Sequence, residues 1–379
     1  MNHNRFFGQW SYLCILCLAI ALMCSGSCQQ DYKATSHKAS ERTHSIGIPI
    51  FSPDNNKIIF VYRIGEGSAA AIYDISKHKT YEFDELNHAT NEEPSSPSFS
   101  RDGNKMTFVS GRGDDCNIYI MDADGSNVRQ LTHDYNVNPV RKDEDVVIRR
   151  NATPSFSPDG KRIIFIRSSI RRQRALPLKG EMLSHWDVYE MDIETGKERR
   201  LTNYLFYLMS KPHYLSDGKR FIFSGSGAKN DSGVGPKNFE EYEKLYQNNE
   251  IFIMDGENNV LKPAFMNGRS STEPHVSWND TILFLSITNE MDGLPRNPYN
   301  YDLFIFKEGK IRRLTKMQSY IFQPSISPDG SRAVFLGMKK PDEEGHSLWI
   351  VNTDGTGLTK INIPWEQLEE QGDKKAAKK

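Results

Sequence analysis

Apolar residues in this chain recur in short runs that are separated by turn residues, and this pattern favours β-strands over helices. One six-residue pattern begins with a proline and ends in a Ser-Pro-Asp turn or a close variant, and it occurs six times. The leading prolines are Pro49, Pro97, Pro154, Pro212, Pro274 and Pro324. Their spacing of 48 to 62 residues is the length of a four-stranded propeller blade with loops of variable size.

Each copy continues in step with the others. A phenylalanine ends the next apolar run in every copy: Phe60, Phe108, Phe165, Phe223, Phe284 and Phe335. Third and fourth runs follow, such as residues 118–122 (IYIMD) and 129–132 (RQLT), and Asp-Gly pairs such as Asp159-Gly160 suit tight hairpins. The pattern predicts an all-β fold, a six-bladed β-propeller over residues 46–363 with four antiparallel strands in each blade.

The repeats also carry a family resemblance. The Ser-Pro-Asp-Gly-Lys turn at 157–161, the strand at 118–122 and the Arg-Gln-Leu-Thr ending at 129–132 resemble the Pro-Asp repeats of TolB-like propellers. The resemblance covers about residues 46 to 362. It implies the same propeller fold and a place in the cell envelope.

The N-terminus has the pattern of an export signal, predicted over residues 1–27. An apolar run at 10–23 is short for a membrane span, and small residues precede Cys28. Cys28 resembles the lipid-modified cysteine of bacterial lipoproteins, with Cys24, simple secretion or an uncleaved anchor as alternatives. Residues 28–45 are polar and predict a flexible tether, and residues 364–379 predict a disordered charged tail.

Net charge adds little to this picture. The chain of 379 residues has 48 lysines and arginines against 49 aspartates and glutamates, which gives no reason to expect nucleic acid as a partner. We expect a monomer without a cofactor that meets the membrane only through its lipid. It would lie on the periplasmic or the cell-surface side of the outer membrane.

The topology of such blades predicts which face carries function. The Asp-Gly turns fall on one face, here called the turn face, and the connections between second and third strands and between blades fall on the other, the loop face. The long connections at 132–151, 167–186, 224–249 and 288–301 are all of the second kind. Long loops on a rigid scaffold commonly bind partners, so we assign binding to the loop face.

Polar residues beside the leading prolines are predicted to ring the mouth of the central channel on that face. Lys211, Glu273 and Gln323 stand just before a leading proline, and His213 and His275 stand just after one. Such side chains are either ordinary hydrogen-bonded channel residues or a binding site.

An alternative function follows from a second resemblance. Oligogalacturonate lyases are propellers with similar repeats that hold manganese with histidine and glutamine side chains at the channel mouth. His213, His275 and Gln323 occupy suitable repeat positions for a divalent cation such as manganese. The alternative is therefore a metal-dependent polysaccharide lyase, whereas no Gly-x-Ser-x-Gly motif indicates a serine hydrolase.

A cluster of basic residues precedes and follows the third leading proline, and we expect it in two neighbouring loops. The candidate residues for binding an anionic ligand are Arg149, Arg150, Arg167, Arg171, Arg172 and Arg174. Arginine binds carboxylates in bidentate fashion, although a solvated charged surface is the simpler interpretation. Our principal hypothesis is a lipid-anchored, non-enzymatic binding module for an envelope protein or an acidic saccharide.

Overall fold

The chain forms six antiparallel sheets in a computed structural model. Five have four strands, and the first has five. The structure describes residues 44–376 apart from 65–66, 88, 90–93, 112–115, 135–146, 173–181, 207, 227–248, 258–259, 266–268, 289–299, 318 and 339–345. The predicted signal segment, Cys28 and all but the last two residues of the predicted tether lie outside the described residues. No helix in the described part of the chain is both long and apolar enough to span a bilayer.

The first three blades are built from consecutive strands, innermost first. Blade 1 contains β1 (His44–Ile46), β2 (Ile50–Phe51), β3 (Lys57–Ile64), β4 (Gly67–Asp74) and β5 (Lys79–Glu82), followed by the short helix α1 (Asp84–Asn87). The two short strands β1 and β2 both pair with β3 as the innermost layer. Blade 2 contains β6 (Pro94–Phe99), β7 (Lys105–Ser110), β8 (Asn117–Asp122) and β9 (Arg129–Gln130). Blade 3 contains β10 (Val147–Phe156), β11 (Arg162–Arg172), β12 (Met182–Asp192) and β13 (Glu198–Arg200).

The other three blades repeat the plan. Blade 4 contains β14 (Leu208–Tyr214), β15 (Arg220–Ser226), β16 (Glu250–Asp255) and β17 (Val260–Pro263). Blade 5 contains β18 (Ser271–Val276), β19 (Ile282–Ile287), β20 (Tyr301–Lys307) and β21 (Lys310–Arg313). Blade 6 contains β22 (Ile321–Ile326), β23 (Arg332–Gly337), β24 (Ser347–Asn352) and β25 (Thr359–Ile361), and the helix α2 (Trp365–Ala376) follows.

The repeated phenylalanines form the centre of the core. All six have no exposed surface: Phe60, Phe108, Phe165, Phe223, Phe284 and Phe335. Each stands on the second strand of its blade, where both faces of the sheet are covered by neighbouring blades. The prediction of a six-bladed propeller from the repeat is confirmed.

The Ser-Pro-Asp turns are stabilised by the serine and the acid together. In blade 3, Ser157 Oγ donates to Asp159 Oδ1 at 2.5 Å and accepts from the backbone N of Arg162 at 3.0 Å. The same serine-to-acid bond recurs in blades 1, 2 and 6, and Asn279 takes the place of the acid in blade 5. This motif therefore stabilises the hairpin turn through side-chain hydrogen bonds.

Blade 3 departs from the sequence expectation. Residues 167–186 were expected as a loop, but β11 and β12 continue as paired strands to Arg172 and from Met182. Both strands have 11 residues, against 6 to 8 for the second and third strands of the other blades. The hairpin therefore projects from the loop face by about four residues, roughly 13 Å at the usual rise per residue.

The ring closes by packing, because every blade supplies all of its own strands. One apolar cluster joins blade 1 to blade 6, with Phe51 and Ile46 from the first and Phe322 and Leu348 from the second. Leu368 of α2 belongs to the same cluster and is 1% exposed. The expectation of a disordered tail from residue 364 is wrong over α2, because an apolar side chain at Leu368 gives the helix a buried anchor.

Candidate functional site

The innermost strand of five blades has a β-bulge at the leading proline. In blade 4 the pairing skips from Ser210 to His213, and corresponding shifts occur in blades 2, 3, 5 and 6. Proline has no N–H to give to the ladder, so a bulge is where a strand accommodates it. Blade 1 has a break between β1 and β2 at the same place.

The residue before the proline has a left-handed backbone in each of these bulges. The φ values are 49° for Ser96, 48° for Thr153, 44° for Lys211, 50° for Glu273 and 50° for Gln323. Non-glycine residues rarely adopt this conformation, and such strain concentrates at functional positions. The bulges therefore set five side chains at the start of the channel-lining strands.

Three of these side chains join blades 4, 5 and 6. Lys211 Nζ lies 3.1 Å from Glu273 Oε2, and it donates to the carbonyl of Pro324 at 3.1 Å. Glu273 Oε2 also accepts from the backbone N of Gln323 at 2.8 Å. All three residues are less than 10% exposed, so the ion pair has little solvent screening.

Two histidines lie next to this network. The rings of His213 and His275 are 4.4 Å apart between centroids. His275 Nδ1 accepts from the backbone N of Ile326 at 3.3 Å, and its Nε2 lies 3.5 Å from Ser325 Oγ. Burial and then the nearby Lys211 ammonium lower the pKa of His213 to about 3. Burial, His213 and Lys211 lower the pKa of His275 well below its usual value, so both imidazoles are neutral at pH 7.

The innermost strands enclose a channel cavity of about 140 Å³. Its wall contains prolines and serines from the repeat, Lys211, both histidines and, near the turn face, Arg101 and Trp278. Blades 4 to 6 thus bring the predicted channel-mouth residues together. In blades 1 to 3, the residue before the leading proline is Ile48, Ser96 or Thr153 instead.

Comparison with known proteins finds similarity to TolB proteins. A profile of the TolB beta propeller domain matches residues 29–176. The Tol-Pal system protein TolB of Francisella tularensis subsp. mediasiatica (strain FSC147) is 28% identical over 229 residues, which cover 60% of this chain and 41% of the relative. TolB of Francisella tularensis subsp. tularensis (strain SCHU S4 / Schu 4) gives the same values.

Solved structures agree on the fold. TolB from Acinetobacter baumannii superposes with a TM-score of 0.55 at 21% identity, covering 85% of this chain and 64% of that one. This chain is a six-bladed β-propeller that resembles TolB propellers. It matches about two-fifths of the length of its curated relatives, so the likeness describes the propeller and not the whole relative.

An oligogalacturonate lyase in complex with manganese shares the propeller fold of this chain. Its TM-score is 0.51 at 15% identity, covering 86% of this chain and 83% of that one. In the part of the chain that is described, no group of three His, Cys, Asp or Glu side chains is placed to hold a metal. His213, His275 and the buried Gln323 Oε1, which has no hydrogen-bond partner within the described residues, are the available donors.

The described basic residues of blade 3 do not form one loop cluster. Arg167 is 7% exposed and binds Glu198 through both terminal nitrogens, at 2.7 and 2.9 Å. It also lies 3.0 Å from Asp134 Oδ2 and packs over Tyr189. Arg167 is therefore a structural residue of β11, which corrects its place among the candidate anion ligands.

The other described arginines predicted to bind an anion lie in different parts of blade 3. Arg149 on β10 is exposed and lies 3.6 Å from Asp134 Oδ1, while Arg150 is partly exposed. The backbones of Arg171 and Arg172 pair with β12 and not with a loop. Arg174 lies outside the described residues.

Sequence reasoning missed Arg101 and Trp278. Each occupies the place of the second proline in its own copy of the Ser-Pro-Asp turn. The guanidinium of Arg101 lies over the ring of Trp278, 5.7 Å from its centroid. The second proline is absent from three of the six copies, and in two of these a large side chain, Arg101 or Trp278, replaces it. That replacement was the available signal.

Proposed function

We propose that this TolB-like propeller is an exported, lipid-anchored binding module of the cell envelope, and that it engages a partner protein on its loop face. The likeness to Tol-Pal system proteins supports the envelope and the protein partner. The loop face supports the docking surface, because the strained channel-mouth residues and the projecting hairpin of blade 3 both lie there.

The observation that carries the proposal is the contrast between the two faces of the ring. The turn face has short hairpins that their own Ser–Asp bonds lock. The loop face has the long connections, whose described ends all lie at that end of the ring by antiparallel pairing. We therefore expect a partner protein, which needs a large and specific surface, to bind the loop face.

The test is site-specific photo-crosslinking in the native envelope. A photoreactive residue at Arg149 lies on the loop face, and one at Lys161 lies on the turn face of the same blade; both side chains are exposed. We expect one partner protein to be captured from Arg149 and identified by mass spectrometry. Equal capture of the same protein from Lys161 would contradict the loop-face assignment.

Lipid anchoring is tested separately. A Cys28→Ala variant should leave the membrane fraction and appear in the soluble envelope fraction, whereas Cys24→Ala should remain with the membrane. If Cys28→Ala stays with the membrane and retains its lipid label, the proposed anchor is wrong.

The alternative proposal is a metal-dependent lyase that acts on an acidic glycan at the channel mouth. Its support is the shared fold of the manganese-bound lyase and the His213–His275 pair. Purified protein would be incubated with oligogalacturonate and manganese, and unsaturated product followed by absorbance. If the protein turns over the substrate and both His213→Ala and His275→Ala abolish turnover, the lyase is favoured. If there is no turnover and a partner protein is crosslinked, the binding module is favoured.

A further inference from the structure

Arg101 and Trp278 meet across the axis of the propeller. Arg101 follows β6 in blade 2 and Trp278 follows β18 in blade 5, which are opposite blades in a ring of six. The guanidinium packs on the indole, and Arg101 Nη2 donates to the backbone O of Trp278 at a long 3.4 Å. This pair lies across the channel at the turn face, here called the channel floor, at the opposite end from the mouth on the loop face.

The floor has an unbalanced positive charge. Arg101 and Lys211 line the cavity, and no aspartate or glutamate is among the described residues that do so. Glu273 neutralises Lys211 at the mouth. Asp280 is the acid that acts on Arg101, but its carboxylate accepts hydrogen bonds from the backbone N and the hydroxyl of Ser216. Burial lowers the pKa of Arg101 against the opposing effect of Asp280.

The guanidinium also has unused hydrogen-bonding capacity. Arginine offers five N–H donors, and the bond to Trp278 is the hydrogen bond that the described residues provide for Arg101. A partly buried cation with so few acceptors is costly. A planar guanidinium fork suits the oxygens of a carboxylate or a phosphate.

Hydroxyl groups extend the donor surface along the cavity. Ser96, which is 5% exposed, and Thr153 both line it. Ser96 Oγ and Thr153 Oγ1 are buried and have no hydrogen-bond partner within the described residues. Buried polar atoms are nearly always paired, so these hydroxyls indicate that the cavity holds a polar occupant.

The size of the cavity limits what can enter. A water occupies roughly 10 to 15 Å³ of such volume, so about 140 Å³ has room for one small molecule with a few waters. We propose that the channel is a binding site for a small oxyanion, a carboxylate or a phosphate, which enters from the loop face and is held by Arg101 on the channel floor. This site does not depend on the partner protein of the proposed function.

The test measures binding to the mature chain by titration calorimetry with inorganic phosphate, acetate and citrate in turn. Sodium chloride keeps the ionic strength constant and serves as the reference anion. We expect saturable binding of one stoichiometric equivalent for phosphate or for a carboxylate, and the anion that binds identifies the class. Heats equal to those of chloride for all three anions would overturn the proposal.

Two variants test the assignment to Arg101. Arg101→Gln should weaken binding at least tenfold, since it removes the charge. Arg101→Pro restores the Ser-Pro-Asp-Gly turn of blades 3 and 6, so it should fold and also lose binding. Arg129→Gln, an exposed arginine on β9 outside the cavity, is the matched control and should bind normally. Unchanged binding in Arg101→Pro would show that Arg101 does not hold the anion.

Discussion

Two interfaces between neighbouring blades differ in chemistry. The seam between blades 3 and 4 is held by polar contacts, and the seam between blades 6 and 1 is held mainly by apolar packing. At the first seam, the buried carboxylate of Glu190 binds Arg162 at 3.0 Å, Arg199 at 2.9 Å and the hydroxyl of Tyr214. Arg162 continues across the seam to the carbonyl of Gly218 at 3.0 Å. Directional bonds therefore fix the position of blade 4 against blade 3.

The second seam is mainly apolar. Ile46 and Phe51 of blade 1 pack with Phe322 and Leu348 of blade 6, and Leu368 of α2 covers the joint. Polar contacts lie at its edges, such as His44 Nε2 with Glu369 Oε1 at 2.7 Å. No strand is exchanged between the first and last blades. This seam therefore depends on buried apolar area and on the packing of α2 against both blades.

The difference shows that the blade 3–4 seam fixes the relative position of two blades, whereas the blade 6–1 seam holds the ring closed without fixing that geometry as strictly. A buried carboxylate needs its partners in fixed places, so the 3–4 seam tolerates little rearrangement. An apolar joint loses stability with lost area, but it can repack. Three predictions test this contrast, in order of decreasing effect.

The largest effect should come from Glu190→Ala. The substitution leaves Tyr214 without its acceptor and two arginines without their shared carboxylate, and breaking such a buried pair costs about 3 kcal/mol. That figure is at the low end of the range for buried pairs because Arg199 is 55% exposed. The measurement is the free energy of unfolding from urea titration. Glu194→Ala, in the exposed turn after β12, is the control and should change stability little; an equal loss in both variants would contradict the role of the cluster.

A smaller loss is expected from Leu368→Ala at the apolar seam. Removing a buried leucine costs about 2 kcal/mol where the surroundings can relax, and Leu368 packs against an apolar joint that can repack. Amide hydrogen exchange should also rise in β1, which α2 covers, and stay unchanged in β14. Leu358→Ala, an exposed leucine before β25 that is 41% accessible, is the matched control. If the amides of β1 remain protected from exchange in Leu368→Ala, α2 does not stabilise the joint between blades 6 and 1.

The smallest effect concerns the Ser-Pro-Asp turns, which the two seams share. Partial burial raises the pKa of Asp159 and of Asp329, but hydrogen bonds from serine side chains and backbone amides outweigh it and leave both pKa values below the usual one. A carboxylate whose pKa is lower in the folded state stabilises the fold above the unfolded-state pKa of about 3.9, and the benefit disappears as pH falls through the folded-state pKa.

Asp159→Asn and Asp329→Asn should therefore cost the same small amount at pH 7, below about 1 kcal/mol because both side chains face solvent. The difference from the unsubstituted chain should shrink in urea titrations repeated at pH values below 3.9. A loss in one variant that is several times that in the other would show that the turns are not equivalent.

Much of the fold could be predicted from local pattern. The six leading prolines predicted the six blades, and the phenylalanines that follow them are the buried centres of those blades. The same prolines placed Lys211, His213, Glu273, His275 and Gln323 at one channel mouth, because equivalent positions of a repeat have equivalent positions in a ring.

Other features depend on contacts that no local pattern contains. Arg167 was expected to meet an anion from a loop, yet β11 continues and buries it against Glu198 and Asp134. The C-terminal segment is charged in sequence, but the apolar joint between blades 6 and 1 gives Leu368 a place to pack. Arg101 and Trp278 are 177 residues apart and meet only because their blades stand opposite.

By itself, the sequence determined how many blades form, where the Asp-Gly hairpins turn and which side chains lie at the channel mouth, since turn chemistry and alternation act within a few residues. The tertiary structure alone decided which charges are paired, what closes the ring and what lies across the channel. Those outcomes depend on distances between blades, which are set by packing of residues far apart in the chain.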